Sequence, residues 1–208
     1  MKEILLKKIV VGNFETNCYV VGCAITREGL VVDPGADADA ILQAIEDMNL
    51  KIVAIVNTHG HADHIAANQD IKSATGAELL IHERDSRMLE DAVMNLSAMF
   101  SSPVLSPPAD RFLKEGDAVK VGSILLDVIH TPGHTEGGIS LAGQGFVFSG
   151  DTLFAGSVGR TDFPGGSFNL LVESIRVKLM CLPPTTTVFS GHGSNTTIGD
   201  ERKNNPFL

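Results

Sequence analysis

Four times along this chain an apolar run closes on a short turn and then on a histidine or an aspartate. "KIVAIVN" (51–57) leads into "THGHADH" (58–64), and "ILLDVIH" (124–130) into "TPGH" (131–134). "GFVFSG" (145–150) leads into Asp151, and "TTVFSG" (186–191) into His192. Short apolar runs of this length read as buried strands, and the glycines and prolines behind them as turns. Strand ends that share one edge of a scaffold converge, and loops held there are the usual place for chemistry. The chain therefore needs a fold that gathers several strand ends at one edge.

The first of these turns is the densest in chemistry. It holds three of the chain's seven histidines and an aspartate within six residues, His59 to His64. In an extended segment, residues two apart face the same way, so His59 and His61 can grip one ion. Asp63 and His64 then face a second position at the start of the next helix. A nitrogen and oxygen donor set without cysteine suits an open catalytic metal site better than a closed structural one. His82 and His130, each alone, read as structural histidines outside the site.

The organisation follows from periodicity. Residues 18–25 and 29–35 read as paired strands, and 37–48 as an amphipathic helix with Ile41, Leu42, Ile45 and Met48 on one side. After the strand at 51–57, a helix is expected from His64 to about Thr75, a strand over 77–82 and a short helix beyond it. Residues 91–110 form the one long irregular segment, a candidate substrate wall with Met94, Met99 and Phe100. Two hairpins follow, turning at Gly122-Ser123 and near Gln144. A helix capped by Ser167 carries Phe168, Leu171, Val172, Ile175 and Leu179 in one stripe, a last strand ends at His192, and a polar tail closes the chain. Two strand-rich halves with helices to cover one face of each suggest two packed sheets with helices outside, in one domain over 1–208.

Composition narrows the function classes. A net charge of -9 leaves no broad basic face for nucleic acid or an anionic membrane. No apolar run reaches the length of a bilayer span, and Lys7 and Lys8 interrupt the N-terminal apolar stretch where a signal peptide would continue. Cys18, Cys23 and Cys181, without a CxxC spacing, read as buried free thiols of a reducing compartment. The expectation is a cytoplasmic globular protein acting on a small molecule.

"THGHADH", "TPGHT", "SGDTLF" and "SGHG" resemble, in order and over nearly the whole chain, the motifs of the metallo-β-lactamase superfamily. The resemblance implies an α/β fold, an αββα sandwich of two mixed β-sheets flanked by helices, with two metals at one edge. It implies that His59, His61 and His134 hold one metal, that Asp63, His64 and His192 hold the other, and that Asp151 bridges them. "GDTLFAGSVGRTDFPGGS" and the C-terminal "GHGSNTTIGDERKNNPFL" are most similar to the glyoxalase II-like, hydroxyacylglutathione hydrolase-type branch in its short bacterial form. True β-lactamases of this fold usually place a cysteine at the position of Asp151 and lack the histidine at that of His64, which argues against antibiotic hydrolysis. Only 16 residues follow His192, where full-length glyoxalase II enzymes carry a helical extension that contacts glutathione.

The function so implied is hydrolysis of a thioester such as S-D-lactoylglutathione by a hydroxide that two divalent ions share, zinc first, with iron or manganese also suited. Asp63 is assigned a catalytic task besides ligation, orienting that hydroxide. Arg160 is a candidate anchor for a substrate carboxylate, against the alternative of a loop-fixing salt bridge to Asp162. Rival readings are a mononuclear-iron persulfide dioxygenase and a metal-dependent lactonase or phosphodiesterase of the same fold.

Overall fold

The computed structural model describes residues 4–208. The first sheet holds six strands in chain order: β1 (Ile4–Val11), β2 (Thr16–Cys23), β3 (Glu28–Val32), β4 (Lys51–Val56), β5 (Glu78–His82) and β6 (Arg111–Leu113). β1 to β3 are antiparallel, joined by tight turns, whereas β3 to β6 run parallel. Parallel neighbours need crossovers. α1 (Ala38–Asp47) supplies the first, and α2 (Ala62–Ile65) with α3 (Asn68–Thr75) the second.

The second sheet begins with the hairpins β7 (Ala118–Val121)–β8 (Ile124–His130) and β9 (Ile139–Gly143)–β10 (Phe146–Gly150). A small separate ribbon, β11 (Leu153–Phe154) and β12 (Ser157–Val158), follows, then α4 (Phe168–Ser174), which widens into a π-helical turn over Ile175–Leu179. β13 (Thr187–Ser190) lies parallel to β10, and β14 (Thr196–Thr197) and α5 (Ile198–Asn204) complete the order β14-β13-β10-β9-β8-β7. Both sheets are mixed, as expected. Among the described residues, no helix is long and apolar enough to cross a membrane.

Side-chain alternation builds the layers. Along β2, Tyr19, Val21 and Cys23 enter the core between the sheets, whereas Cys18 and Val20 enter the core under α1 and α3. β3, β4 and β5 repeat the division: Leu30, Val32, Val56 and Leu80 face one core, and Val31, Ile55, Leu79 and Ile81 the other. The second sheet gives Val128, Leu141 and Phe148 to the shared core and Val147 and Val188 to a third, under Leu171, Ile175 and Leu179. Three cores between four layers make an αββα sandwich.

Local differences have local causes. The helix expected over 64–75 begins two residues earlier and breaks at Ala66-Ala67, where the Ala67 N–H turns to donate to the Pro34 carbonyl at 2.9 Å. The polar tail contains α5, whose start is capped by Thr197 Oγ1 accepting from the Asp200 N–H at 3.1 Å. Cys18 and Cys23 are buried free thiols as expected, but Cys181 is exposed. Residues 91–110 carry no regular strand or helix and end at β6.

His82 and His130 lie outside the site. Their rings stack at 4.2 Å and 10°, joining the ends of β5 and β8 across the sandwich. Burial, then His130 and Arg84, pull the His82 pKa down to about 4. The folded protein thus binds this proton less readily than the unfolded chain. The stabilisation is whole above the ordinary value near 6.5 and is lost as pH falls toward about 4. His82→Phe is expected to keep the stack and to show a smaller fall in Tm than the native protein between those pH values. Parallel Tm–pH curves would refute this.

Candidate metal centre

The site lies at one edge of the sandwich, beyond the carboxyl ends of β4, β8, β10 and β13, where open α/β sheets gather their ligands. The turn after β4 delivers His59 and His61 and then enters α2, so Asp63 and His64 stand in its first turn. His134 follows β8, Asp151 follows β10, and His192 follows β13. The structure brings all seven sequence-predicted groups together.

Among the described residues, three sets of donor atoms each lie within 4.8 Å of one another: His59, His61 and His134; His59, His64 and Asp151; Asp63, His64 and His192. The first and third are the two groups expected from the motifs. Asp151 stands between them: its Oδ2 is 3.7 Å from His134 Nε2 and 3.5 Å from His192 Nε2, and its Oδ1 is 3.5 Å from His64 Nε2.

The outward nitrogens are fixed by the protein. His134 Nδ1 lies 2.7 Å from the Arg160 carbonyl and His192 Nδ1 3.0 Å from the Phe14 carbonyl, so each Nε2 is left for the centre. His61 Nδ1 and His134 Nε2 face each other at 2.9 Å. His59 Nε2 and Asp151 Oδ1 are buried without a hydrogen-bond partner. Orphaned buried atoms are costly, and a shared cation is the partner they fit. The residues present fit two divalent ions.

The two ends of the cluster differ in charge. Burial, then the neighbouring histidines, hold His59 well below the usual range, and burial with His134 takes His61 to about 3. Burial opposes charge on His64 too, but Asp63, Asp151 and Asp33 outweigh it and raise its pKa to about 10. Burial likewise works against a charge on His192, and Asp63 and Asp151 turn its pKa upward. Burial alone would raise Asp63, but His64 and His192 hold it below the usual carboxylate range. At one end His59 and His61 are thus held neutral, whereas at the other His64 is held charged among carboxylates. A cation entering the second end displaces protons.

Two buried aspartates outside the motif reading set this geometry. Asp33, at the end of β3, accepts from the Thr58 N–H and hydroxyl at 2.7 Å each and meets His64 Nδ1 at 3.0 Å. Asp85, on the 3-10 turn after β5, accepts from Thr135 Oγ1 at 2.7 Å, Gly137 N–H at 2.7 Å and Gly60 N–H at 3.2 Å. It ties the turn carrying His59 and His61 to the one carrying His134. Two glycines make room as well. A Cβ on Gly35 would overlap the Asp63 carbonyl, and one on Gly159 the Asp151 carbonyl.

A cavity of about 530 Å³ opens beside the cluster, bounded by His61, Asp63, Asp151 and His192. The irregular segment walls it through Asn95, Leu96 and Phe100, whereas Met99 is 96% exposed and Met94 is not part of the wall. Arg160 also lines it, with its guanidinium forked onto Asp162 at 2.8 and 2.7 Å and stacked 3.9 Å over Phe163.

The profile of the metallo-beta-lactamase superfamily matches residues 11–192, including every one of these groups. The chain belongs to the metallo-β-lactamase superfamily. Hydroxyacylglutathione hydrolase GloC of Haemophilus influenzae is 35% identical over 96% of both chains. Among solved structures, BLEG-1, a B3 metallo-beta-lactamase, is 38% identical with a TM-score of 0.94 over 98% of this chain and 99% of that one. TTHA1623, solved in a di-iron-bound form, is 33% identical with a TM-score of 0.86 over 97% and 100%. The sandwich is the metallo-β-lactamase fold, and its His/Asp cluster is a divalent-metal site. The protein is a metal-dependent hydrolase of that superfamily.

Proposed function

We propose that this protein hydrolyses thioesters in the manner of glyoxalase II, with S-D-lactoylglutathione as the reference substrate and two divalent ions, zinc foremost, as cofactors. The observation that carries the dinuclear reading is the meeting of two three-residue donor sets at Asp151. His59, His61 and His134 would hold one ion, and Asp63, His64 and His192 the other. The likeness to GloC of H. influenzae supports a thioester as the bond cleaved. When bound, the ions supply positive charge that lowers the pKa of a nearby water and polarises an acyl carbonyl.

The chain's own part is positioning and proton handling. Asp63 lines the cavity, stays ionised, and would accept a hydrogen bond from the attacking water to orient it. Its Oδ2 is held by Thr16 Oγ1 at 3.3 Å and His192 Nε2 at 3.3 Å. The new C–O bond forms as the C–S bond breaks, and the thiolate leaves without strong acid assistance. Asp63→Asn is expected to lower kcat about a hundredfold at full metal loading, within the usual worth of a general base. Unchanged hydrolysis with both ions bound would remove Asp63 from that role.

The decisive experiment is metal analysis of the purified protein joined to a thioesterase assay on S-D-lactoylglutathione and simpler thioesters. Fully loaded protein that turns over no thioester would refute the proposal. A second reading, β-lactam hydrolysis, is favoured by the likeness to BLEG-1, although a histidine and an aspartate stand at positions 64 and 151. A chromogenic cephalosporin in the same assay separates the two by relative kcat/KM.

A further inference from the structure

The cavity beside the cluster has walls that say what tail the substrate carries. Phe14, Leu96, Phe100, Phe154, Val158 and Phe163 give it an extensive apolar wall. Phe14, on the β1–β2 turn, and Phe100, on the irregular segment, stack at 5.8 Å and form a lip joining two loops that are otherwise far apart in sequence. Both rings remain partly exposed, at 57% and 37%, which is apolar surface left open next to a catalytic centre.

Two polar side chains of the wall, Asn95 and Arg160, already have partners within the protein. Asn95 is fully buried; its amide donates to the carbonyls of Met88 and Val104, and its oxygen accepts from Ser97. It shapes the loop and has little left for a ligand. Arg160 also lines the cavity, and the Nε and Nη2 edge of its guanidinium is paired with Asp162 at 2.8 and 2.7 Å. A substrate carboxylate would compete with Asp162 for that edge of the guanidinium.

From this, resting on the thioester reading above, we infer that the preferred substrate is an uncharged thioester with an apolar acyl chain, held under the Phe14–Phe100 lip, and that this pair determines specificity. The thiol portion contributes no recognised carboxylate. A volume of about 530 Å³ accommodates such a molecule, within the ordinary range of small-ligand pockets.

The test uses the metal-loaded protein and N-acetylcysteamine thioesters from acetyl to hexanoyl. kcat/KM is expected to rise about fourfold per added methylene until the cavity is full, the worth of burying one CH₂. S-hexanoylglutathione should be poorer than the neutral hexanoyl thioester by about tenfold, the order of one charge left unpaired near a surface. Phe100→Ala is expected to cut the hexanoyl-to-acetyl ratio about tenfold, the scale of a lost aromatic wall. Phe14→Ala, a surface substitution, serves if the first variant folds poorly. Asp162→Ala, by freeing Arg160, should shift preference toward the glutathione thioester. Calorimetry on metal-free protein supplies a readout independent of turnover, with N-acetyl-S-hexylcysteamine expected to bind more tightly than S-hexylglutathione. A flat acyl series, or tighter binding of the glutathione thioether, overturns the inference. Absence of all thioester turnover overturns the proposed function instead, and the thioether comparison still decides the specificity.

Discussion

Asp151→Ala is expected to reduce bound metal from about two ions to one or fewer and to lower kcat/KM by on the order of a thousandfold, the several kcal/mol that dinuclear assistance supplies. Among the described residues, no other carboxylate lies within 4 Å of histidines from both donor sets, reaching His134 on one side and His64 and His192 on the other. Removing it leaves His64 and His192 facing each other at 3.4 Å with only Asp63 in the centre to balance them. The fold should survive, because the Asp151 side chain belongs to none of the three apolar cores. Elemental analysis beside circular dichroism checks both halves of the statement. A folded variant retaining its full metal content would show that Asp151 is not the bridge.

Asp85→Ala should act without touching either ion. The carboxylate is 1% exposed and serves three donors on two different turns. Its loss leaves those donors buried and unpaired, costing about 3–5 kcal/mol if each contributes at the usual scale. It also unties the turn of His59 and His61 from that of His134, so affinity at the first position should fall about 10- to 100-fold, as for other groups that orient ligands. Asp85→Asn, which keeps one acceptor oxygen, should fall between the two. Denaturation gives the first quantity and chelator competition the second. A stability loss with unaltered metal affinity would make Asp85 a purely structural residue.

The candidate ligands were legible in the sequence because each follows an apolar run and a turn, a pattern that survives without any knowledge of tertiary contacts. Asp33 and Asp85 were not. Asp33 sits before Pro34-Gly35 and reads as an ordinary turn residue. Asp85 lies within Glu83, Arg84, Ser86 and Arg87, and in such company reads as solvated surface. Only the folded chain shows it turned inward under Thr135 and Gly137. α5 left a trace that periodicity does not weigh, Thr197 three residues before Asp200, the spacing of a side-chain cap. The break between α2 and α3 left none, since the bond from Ala67 to Pro34 spans 33 positions.

The proposed donors are divided between the two sheets. Four follow β4 in the first sheet, and three follow strands of the second. Neither set of three is complete within one half: His134 must join His59 and His61, and His192 must join Asp63 and His64. On the proposed assignment each ion would be a rivet through the sandwich, closing loops of some 70 and 130 residues between its ligands, and its departure would relax the seam between the layers as well as silence the chemistry. On that reading the cofactor that reacts would also be a cross-link.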